Sequence, residues 1–312
     1  MDMAPVVTLT LNPAVDMSTS TEYVVGDRKL RCEERVVEPG GGGINVARVL
    51  FELGVATEAW WTRGGDVGER LGHLLDATGI AHRSIPIDGD TREHLTVVER
   101  ASGRQFRFNM PGPTLSEAEL DTCIDLVAGL DPATPYLVLS GSLPEHAPAD
   151  FYARLARVAP ADCRIVLDTS GPALEHGVEA DIFLVKPNVN ELSALAGTTV
   201  EDEEHIREVA RSLVRRGGVD VVITSLGAGG ATATTAEEHW HVHAPTVRFR
   251  SAVGAGDSMV GGLVAGLARG WPLADAIRYG VAAGAATVTT SGTQLCTRAD
   301  VERLVEQMEG GR

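Results

Sequence analysis

Six short apolar runs recur along the chain with helical patterns between them: Val6–Leu11, Ala59–Thr62, Tyr136–Ser140, Arg164–Asp168, Ile182–Val185 and Val219–Ser225. Several are apolar on both faces, which suits strands buried in a parallel sheet under helices. The helical patterns are equally plain. Ser116-x-x-Glu119 is a capping box opening a segment that runs to about Gly129. Ile206, Val209, Ala210, Leu213 and Val214 form an amphipathic stripe that stops at Gly217. Val260, Leu263, Val264 and Leu267 repeat the spacing before Gly270, and Val301, Leu304, Val305 and Met308 repeat it behind Thr297, a candidate N-cap. This alternation predicts a doubly wound α/β fold with a mostly parallel sheet. Two regions break the rhythm. Residues about 18–38 and 92–110 hold strand-like segments (Glu33–Val37, Leu95–Arg100, Gln105–Asn109) without helices between them, the last two joined by a hairpin turn at Ala101-Ser102-Gly103. They predict a small antiparallel β-sheet lid projecting from the main body.

The 312 residues show no repeat, no low-complexity tract and no linker long enough to separate independent units, so residues 1–312 are read as one domain. With 27 basic and 43 acidic side chains the net charge is −16, which argues against nucleic acid or an anionic membrane surface as partner. A polyanionic substrate stays open, because a small site can be locally basic. Cys32, Cys123, Cys163 and Cys296 include no CxxC pair, and hence neither a zinc knuckle nor a thioredoxin motif. No leader is read in MDMAPVVTLTLNP and no apolar stretch is long enough to span a bilayer, so the expectation is a cytoplasmic protein with reduced thiols.

The segment Ser251-Ala252-Val253-Gly254-Ala255-Gly256-Asp257-Ser258 stands directly before the Val260–Leu267 stripe. Small residues at a helix N-terminus leave backbone N–H groups free and allow an anion to approach closely. A carboxylate repels phosphate. Asp257 makes sense there if it accepts a proton from an attacking hydroxyl while the amides hold charge developing on the transferred group. The plain alternative is an Asp N-cap behind a tight glycine turn. In Pro39–Ala47, four glycines (Gly40–Gly43) lead into a helix marked by Val46, Val49, Leu50 and Leu53. Four glycines carry an entropic cost, which favours backbone proximity to a ligand over a flexible loop, with Asn45 offering its amide to hydroxyls.

Asp16, in Asn12-Pro-Ala-Val-Asp16, follows the first strand, where ligands of open α/β sheets bind, and could hydrogen-bond a polyol; otherwise it is a solvated loop carboxylate. Lys186-Pro-Asn188-Val-Asn190-Glu191 also follows a strand. Asn188 and Glu191 could hold a hydrated Mg2+, or Asn188 could simply cap the next helix. Ser225-Leu-Gly227-Ala-Gly229-Gly230-Ala231 is a glycine-rich turn between two strands, suited to a nucleotide's phosphates or ribose. Neither a Walker A sequence nor GxGxxG occurs. His239, His241 and His243 share one strand face, where an exposed edge is favoured over a metal site, since no carboxylate or Cys pattern lies beside them.

GGGGINVAR, KPNxxE, SLGxxG and VGAGDS in this order resemble the ribokinase-like PfkB family of carbohydrate kinases, and the match runs through nearly the whole chain. RKLRC at Arg28–Cys32, TRE at Thr91–Glu93, the ASG-x-QFRF run ending at Phe108, MPG at Met110–Gly112, SGSLP at Ser140–Pro144 and GVAAGAA with GTxLC near Cys296 narrow it to that family's minor, ATP-dependent bacterial 6-phosphofructokinases. The resemblance implies a Rossmann-like ribokinase core with a small β lid serving as a homodimer interface. It implies transfer of phosphate from ATP to the 1-hydroxyl of fructose 6-phosphate, with 1-phosphofructokinase and tagatose-6-phosphate kinase as rivals of the same chemistry. A noncatalytic sugar-phosphate sensor is the rival of another class. By the resemblance Asp257 is the catalytic base and Gly254, Ala255 and Gly256 form the anion hole. Asp16, Lys29, Gly41, Gly42, Asn45, Arg92, Arg107 and Ser142 face the sugar phosphate. Lys186, Asn188, Ser225, Gly227 and Gly230 face ATP, and Glu191 positions Mg2+ through water. Some relatives hold a monovalent cation near Ser251, Val253 and the loop Thr290–Gln294. Gln294 stands where the resemblance expects Arg, which leaves dependence on potassium open.

Overall fold

The computed structural model describes residues 4–310. The first half of the chain forms β1 (Val6–Thr10), β2 (Ala14–Thr21), β3 (Val36–Gly40), α1 (Gly42–Glu52), β4 (Thr57–Arg63), α2 (Gly65–Thr78), β5 (Ala81–Pro86), β6 (Arg92–Glu99) and β7 (Gln105–Asn109). There follow α3 (Glu117–Ala128), β8 (Tyr136–Ser140), α4 (Phe151–Val158), β9 (Arg164–Asp168), α5 (Pro172–Gly177), β10 (Ile182–Val185), α6 (Val189–Ala196) and α7 (Glu203–Arg215). The chain closes with β11 (Val219–Ser225), a 3-10 turn (Gly227–Gly229), β12 (Ala231–Thr234), β13 (His239–Val242), α8 (Ala255–Ala268), α9 (Leu273–Thr287) and α10 (Arg298–Gly310).

The main sheet has nine strands in the order β13-β12-β11-β10-β9-β8-β1-β4-β5, parallel throughout except at β12 and β13. The all-apolar runs are explained by helices on both faces. Val7, Leu9, Leu137 and Leu139 enter a core with Leu120, Phe151 and Leu155, whereas Val6, Tyr136 and Val138 enter another with Leu50, Val260 and Leu263. Successive residues of one strand thus feed opposite cores. No helix among the described residues is long and apolar enough to cross a membrane.

The helices that carry the site are drawn together by small residues. A Cβ at Gly261 of α8 would lie 2.6 Å from Val49 Cγ1 of α1, and one at Gly262 would lie 2.8 Å from Ala283 Cβ and 2.9 Å from the Tyr279 carbonyl oxygen of α9. GVAAGAA is therefore a packing surface that lets α8 sit tightly between α1 and α9.

The lid differs from expectation in two ways. Its four strands run β3-β2-β6-β7. Thus β2 enters it at Ala14, ahead of the expected 18, and the predicted strand Glu33–Val37 begins only at Val36. Its central pair is also parallel: β2 pairs with β6 from Ala14↔Arg92 to Thr21↔Glu99. Only β2–β3 and β6–β7 are antiparallel. The reason is connectivity. Between β3 and β6 the chain passes through α1, β4, α2 and β5 of the main body, which supplies the long crossover that a parallel pair needs. Local pattern reports only the β6–β7 hairpin, whose turn at Ala101–Gly103 forms as predicted, with Gly103 N–H donating to the Glu99 carbonyl at 2.8 Å.

Candidate active site

The site lies where the parallel strands end. Asn12 follows β1, Ser140 and Asp168 end β8 and β9, Lys186 follows β10 and Ser225 ends β11. The N-termini of α1 and α8, packed side by side through Gly261, open onto this edge.

Gly254 is the N-cap of α8 at φ 73, a left-handed conformation that favours glycine, and Asp257 lies at the third helical position. The plain alternative, Asp257 as N-cap, therefore does not hold. First-turn N–H groups of a helix lack intrahelical acceptors, so Gly256 and Asp257 present free amides and the positive end of the helix dipole. Asn45, in the first turn of α1, donates through Nδ2 to Asp257 Oδ2 at 2.8 Å. Burial above all, with Asp168 and Asp16 nearby, pushes the Asp257 carboxyl up to about 6, while Asn45 and Lys186 pull against it.

Lys186 is buried, with Nζ 3.0 Å from Asp168 Oδ1. Burial works against its ammonium, but Asp168, Glu191 and Asp257 outweigh that and raise its pKa, so it stays charged. A Cβ at Gly256 would stand 3.7 Å from this ammonium, which sets a fixed positive charge beside the first turn of α8. Asp168 is not among the expected site residues. Its signal is nonetheless present in the sequence, since it terminates an apolar strand run just as Asp16 follows one.

The glycine run is organised differently from its sequence reading. A Cβ at Gly42 would fall 2.5 Å from Ser140 Oγ and 2.8 Å from the Gly141 nitrogen; one at Gly43 would fall 2.6 Å from Thr10 Oγ1 and 2.9 Å from the Leu9 carbonyl oxygen. At Gly40 it would run into the Asp16 carboxylate, and at Gly41 into Thr10 Cγ2 at 2.8 Å. The protein's own strand ends and the Asp16 carboxylate demand these glycines, so packing by itself already requires the run.

Beside α1 lies a polar wall. Arg92 Nη2 donates to the Asn12 carbonyl at 2.8 Å, Asn12 Nδ2 donates to Ser142 Oγ at 3.2 Å, and His94 Nδ1 is 3.4 Å from Asp16 Oδ1. Burial lowers the Arg92 pKa, against the pull of Asp16. Asn12 Oδ1, Asp16 Oδ1, Arg92 Nε and His94 Nε2 are buried without a hydrogen-bond partner in the protein. Donors and acceptors left in this mixture suit a ligand bearing several hydroxyls. Asn12 and His94 escape sequence reading because each acts through a neighbour brought from elsewhere in the chain. Arg107 and Lys29 are not gathered to this wall. Arg107 is exposed on β7 with Nη2 3.1 Å from Gln105 Oε1, and Lys29 is exposed between β2 and β3.

On the other side of α8 a cavity of about 500 Å3 is lined by Ser225, Gly227, Gly230, Val247, Ala255 and Met259, among others. Its apolar walls and glycine turn suit a flat base and its ribose. Asn188 and Glu191 form a capping box on α6: Glu191 N–H donates to Asn188 Oδ1 at 3.0 Å and Asn188 N–H to Glu191 Oε2 at 2.8 Å. The cap reading of Asn188 is thus correct, and one Glu191 oxygen remains beyond it. Ser251 Oγ donates to the Gly292 carbonyl at 2.9 Å and accepts from Val253 N–H at 3.2 Å, while the Gln294 side chain is exposed. His241 binds Glu203 Oε2 through Nδ1 at 2.8 Å and the Gly229 carbonyl through Nε2 at 3.0 Å. Among the described residues, no three His, Cys, Asp or Glu side chains gather as a ligand set.

The profile of the pfkB family carbohydrate kinases matches residues 1–300. ATP-dependent 6-phosphofructokinase isozyme 2 of Mycobacterium tuberculosis is 41% identical over 306 residues, covering 96% of this chain and 89% of that protein. Phosphofructokinase-2 from Escherichia coli, solved in complex with fructose-6-phosphate, superposes with a TM-score of 0.92 at 37% identity, covering 98% of this chain and all of that one. The same enzyme has been solved with potassium and in a tetrameric inhibited form. Ribokinase from Thermotoga maritima, at 21% identity, shares the fold with a TM-score of 0.78, covering 97% of this chain and 100% of that one.

Proposed function

The chain belongs to the pfkB family of carbohydrate kinases and has their ribokinase-like α/β fold, and from that premise we propose that it is an ATP-dependent 6-phosphofructokinase. It transfers the γ-phosphoryl group of ATP to the 1-hydroxyl of fructose 6-phosphate, giving fructose 1,6-bisphosphate and ADP. The observation that carries the reading is the buried Asp257 at the head of α8, hydrogen-bonded by Asn45 at 2.8 Å and lying in the field of Lys186.

Asp257, ionised above about pH 6, takes the proton of the attacking hydroxyl. The free first-turn amides of Gly256 and Asp257, presented by the Gly254-Ala255-Gly256 turn, stabilise charge on the transferring group, and Lys186 adds a fixed positive charge. Asp16, Asn45, Ser142, Arg92 and the backbone at Gly41 and Gly42 orient the sugar. Arg92 on the wall, with Arg107 and Lys29 brought to it from the exposed lid when the sugar binds, neutralises the phosphate dianion, which a protein of net charge −16 must do locally. Ser225, Gly227, Gly230, Lys186 and Asn188 hold ATP. Glu191, whose second carboxylate oxygen lies outside the capping box, would hold through water the Mg2+ that accompanies ATP. Bound there, Mg2+ neutralises phosphate charge. A monovalent cation beside Ser251 and Val253 would be met by backbone oxygens of this loop and of the neighbouring Thr290–Gln294 loop, which Ser251 Oγ ties together by donating to the Gly292 carbonyl. The exposed apolar side chains of the lid, Tyr23, Val36, Phe108 and Met110 among them, support a homodimer closed through it. A kinase of free ATP and sugar phosphate belongs in the cytoplasm.

A noncatalytic sensor would have no use for an ionised carboxylate at this position. A coupled assay of ADP release across fructose 6-phosphate, fructose 1-phosphate, tagatose 6-phosphate and ribose tests the reading. Fructose 6-phosphate should give the highest kcat/KM. A preference for fructose 1-phosphate or tagatose 6-phosphate would replace it with the corresponding rival, and no turnover of any would leave the sensor.

A further inference from the structure

We infer that Glu38, Arg48 and Thr293 form a positioning relay that fixes the orientation of the Asn45 amide toward Asp257. The inference rests on the assignment of Asp257 as the catalytic base.

The four side chains come from three separate regions of the fold. Glu38 lies on the lid strand β3, Asn45 and Arg48 lie one turn apart on α1, and Thr293 lies in the loop joining α9 to α10. Arg48 Nη2 is 2.9 Å from Glu38 Oε1, and the second Glu38 oxygen accepts from the Thr293 hydroxyl. Arg48 Nη1 donates to the Pro39 carbonyl at 3.0 Å and to Asn45 Oδ1 at 3.4 Å. Asn45 Nδ2 then donates to Asp257.

The direction of this relay is its point. A primary amide has one accepting and one donating end, and which end faces Asp257 decides between attraction and repulsion. A guanidinium at Oδ1 can only donate, so it holds the oxygen away from Asp257 and turns the amide N–H toward the carboxylate. The loop carrying Thr293 is itself tied to the approach to α8, because Ser251 Oγ donates to the Gly292 carbonyl. The contacts thus close a ring from α8 through Asn45, Arg48, Glu38 and the 291–294 loop back to Ser251.

Energetics point the same way. The Glu38 and Arg48 side chains are only 14% and 17% exposed. A pair so far out of water recovers its desolvation cost poorly, and apolar residues would fill the space as stably. What the ion pair supplies instead is a fixed geometry, with each Glu38 oxygen and each Arg48 terminal nitrogen committed to a different partner. Asp257 is faced by Asp168 from β9, Lys186 from beyond β10, Asp16 from β2 and Asn45 from α1. Loosening the relay changes only the last of these.

Glu38→Gln keeps size and removes charge. Its kcat with ATP and fructose 6-phosphate should fall by about 5- to 50-fold, with KM for ATP held within about twofold. The acid limb of its kcat profile should move up by about half a pH unit or more, since a donor that favours the ionised carboxylate is no longer held in place. Thr293→Val should show the same shift in smaller degree, and Thr293→Ser, which keeps the hydroxyl, should restore wild-type behaviour. A merely structural ion pair would lower Tm and leave the acid limb and kcat unmoved, and that result overturns the relay. If Glu38→Gln does not fold, the Thr293 pair alone decides. Carboxyl 13C titration of Asp257 in the same variants reads the shift without turnover. A wild-type protein inactive on fructose 6-phosphate would therefore count against the function, while an unshifted titration would count against the relay.

Discussion

In the proposed reaction Asp257 is the base, which requires its charged form, in a place where burial disfavours charge. Asn45 and Lys186 recover some of the cost, and the carboxyl settles at about 6, above its ordinary 3.8. Activity should therefore fall as pH drops through about 6 and the base is protonated. The effect on stability has the opposite sense. Between about 4 and 6 the native protein binds the proton that the unfolded chain has released, so stability declines as pH rises through this window and stays reduced above it. Asp257→Asn should then lose about 10²–10⁴ in kcat. It should also be more stable than wild type at pH 8, by about 3 kcal/mol, with the difference vanishing near pH 4. Lys186 is not orphaned in that variant, because Asp168 remains 3.0 Å away. Thermal melts at the two pH values and a rate at pH 8 check both halves. Full activity removes Asp257 from the chemistry, and equal Tm at pH 8 removes the burial argument.

At the scale of elements, helix ends that close on themselves were legible and helix ends that close on other elements were not. Ser116 accepts from Glu119 N–H and Thr297 Oγ1 from Asp300 N–H, both local partners within three residues, as sequence reading expects. The head of α1 is different, because its glycines are required by β1 and β8. Gly43→Ala would push a methyl against the Leu9 carbonyl, which belongs to a central strand and cannot yield, so it should cost about 2–3 kcal/mol or more in chemical denaturation. Gly103→Ala, in the lid hairpin at φ 71 with nothing within 4 Å of a Cβ, should cost about 1 kcal/mol from backbone strain alone. If both substitutions cost the same, packing is not what the run is for.

For the whole molecule, the lid is the feature with an unanswered surface. Val36 on β3 is 47% exposed and Phe108 on β7 is 46% exposed, at opposite edges of one small sheet. A double variant Val36→Glu, Phe108→Glu should convert the proposed lid dimer to a monomer in light scattering while leaving the thermal transition of the main sheet in place, since neither residue belongs to the buried clusters. A wild-type monomer, or a variant that stays dimeric, would exclude the lid as the interface.

By itself the sequence determined the layered α/β architecture, because strands buried on both faces and helices with one apolar stripe announce themselves in local periodicity. It also singled out Asp257 as a candidate base, through a carboxylate behind GAG at a helix head and the resemblance to the carbohydrate kinases, but it left open a plain N-cap, which only the structure removes by placing Gly254 there. Only the tertiary structure decided what lies between segments distant in the chain: the parallel β2–β6 pairing, the Lys186–Asp168 pair, and Asn45 turned by Arg48 toward a carboxylate 212 positions away. Periodicity reports how a segment meets solvent and core, whereas the direction of a hydrogen bond depends on a partner that the fold has still to deliver.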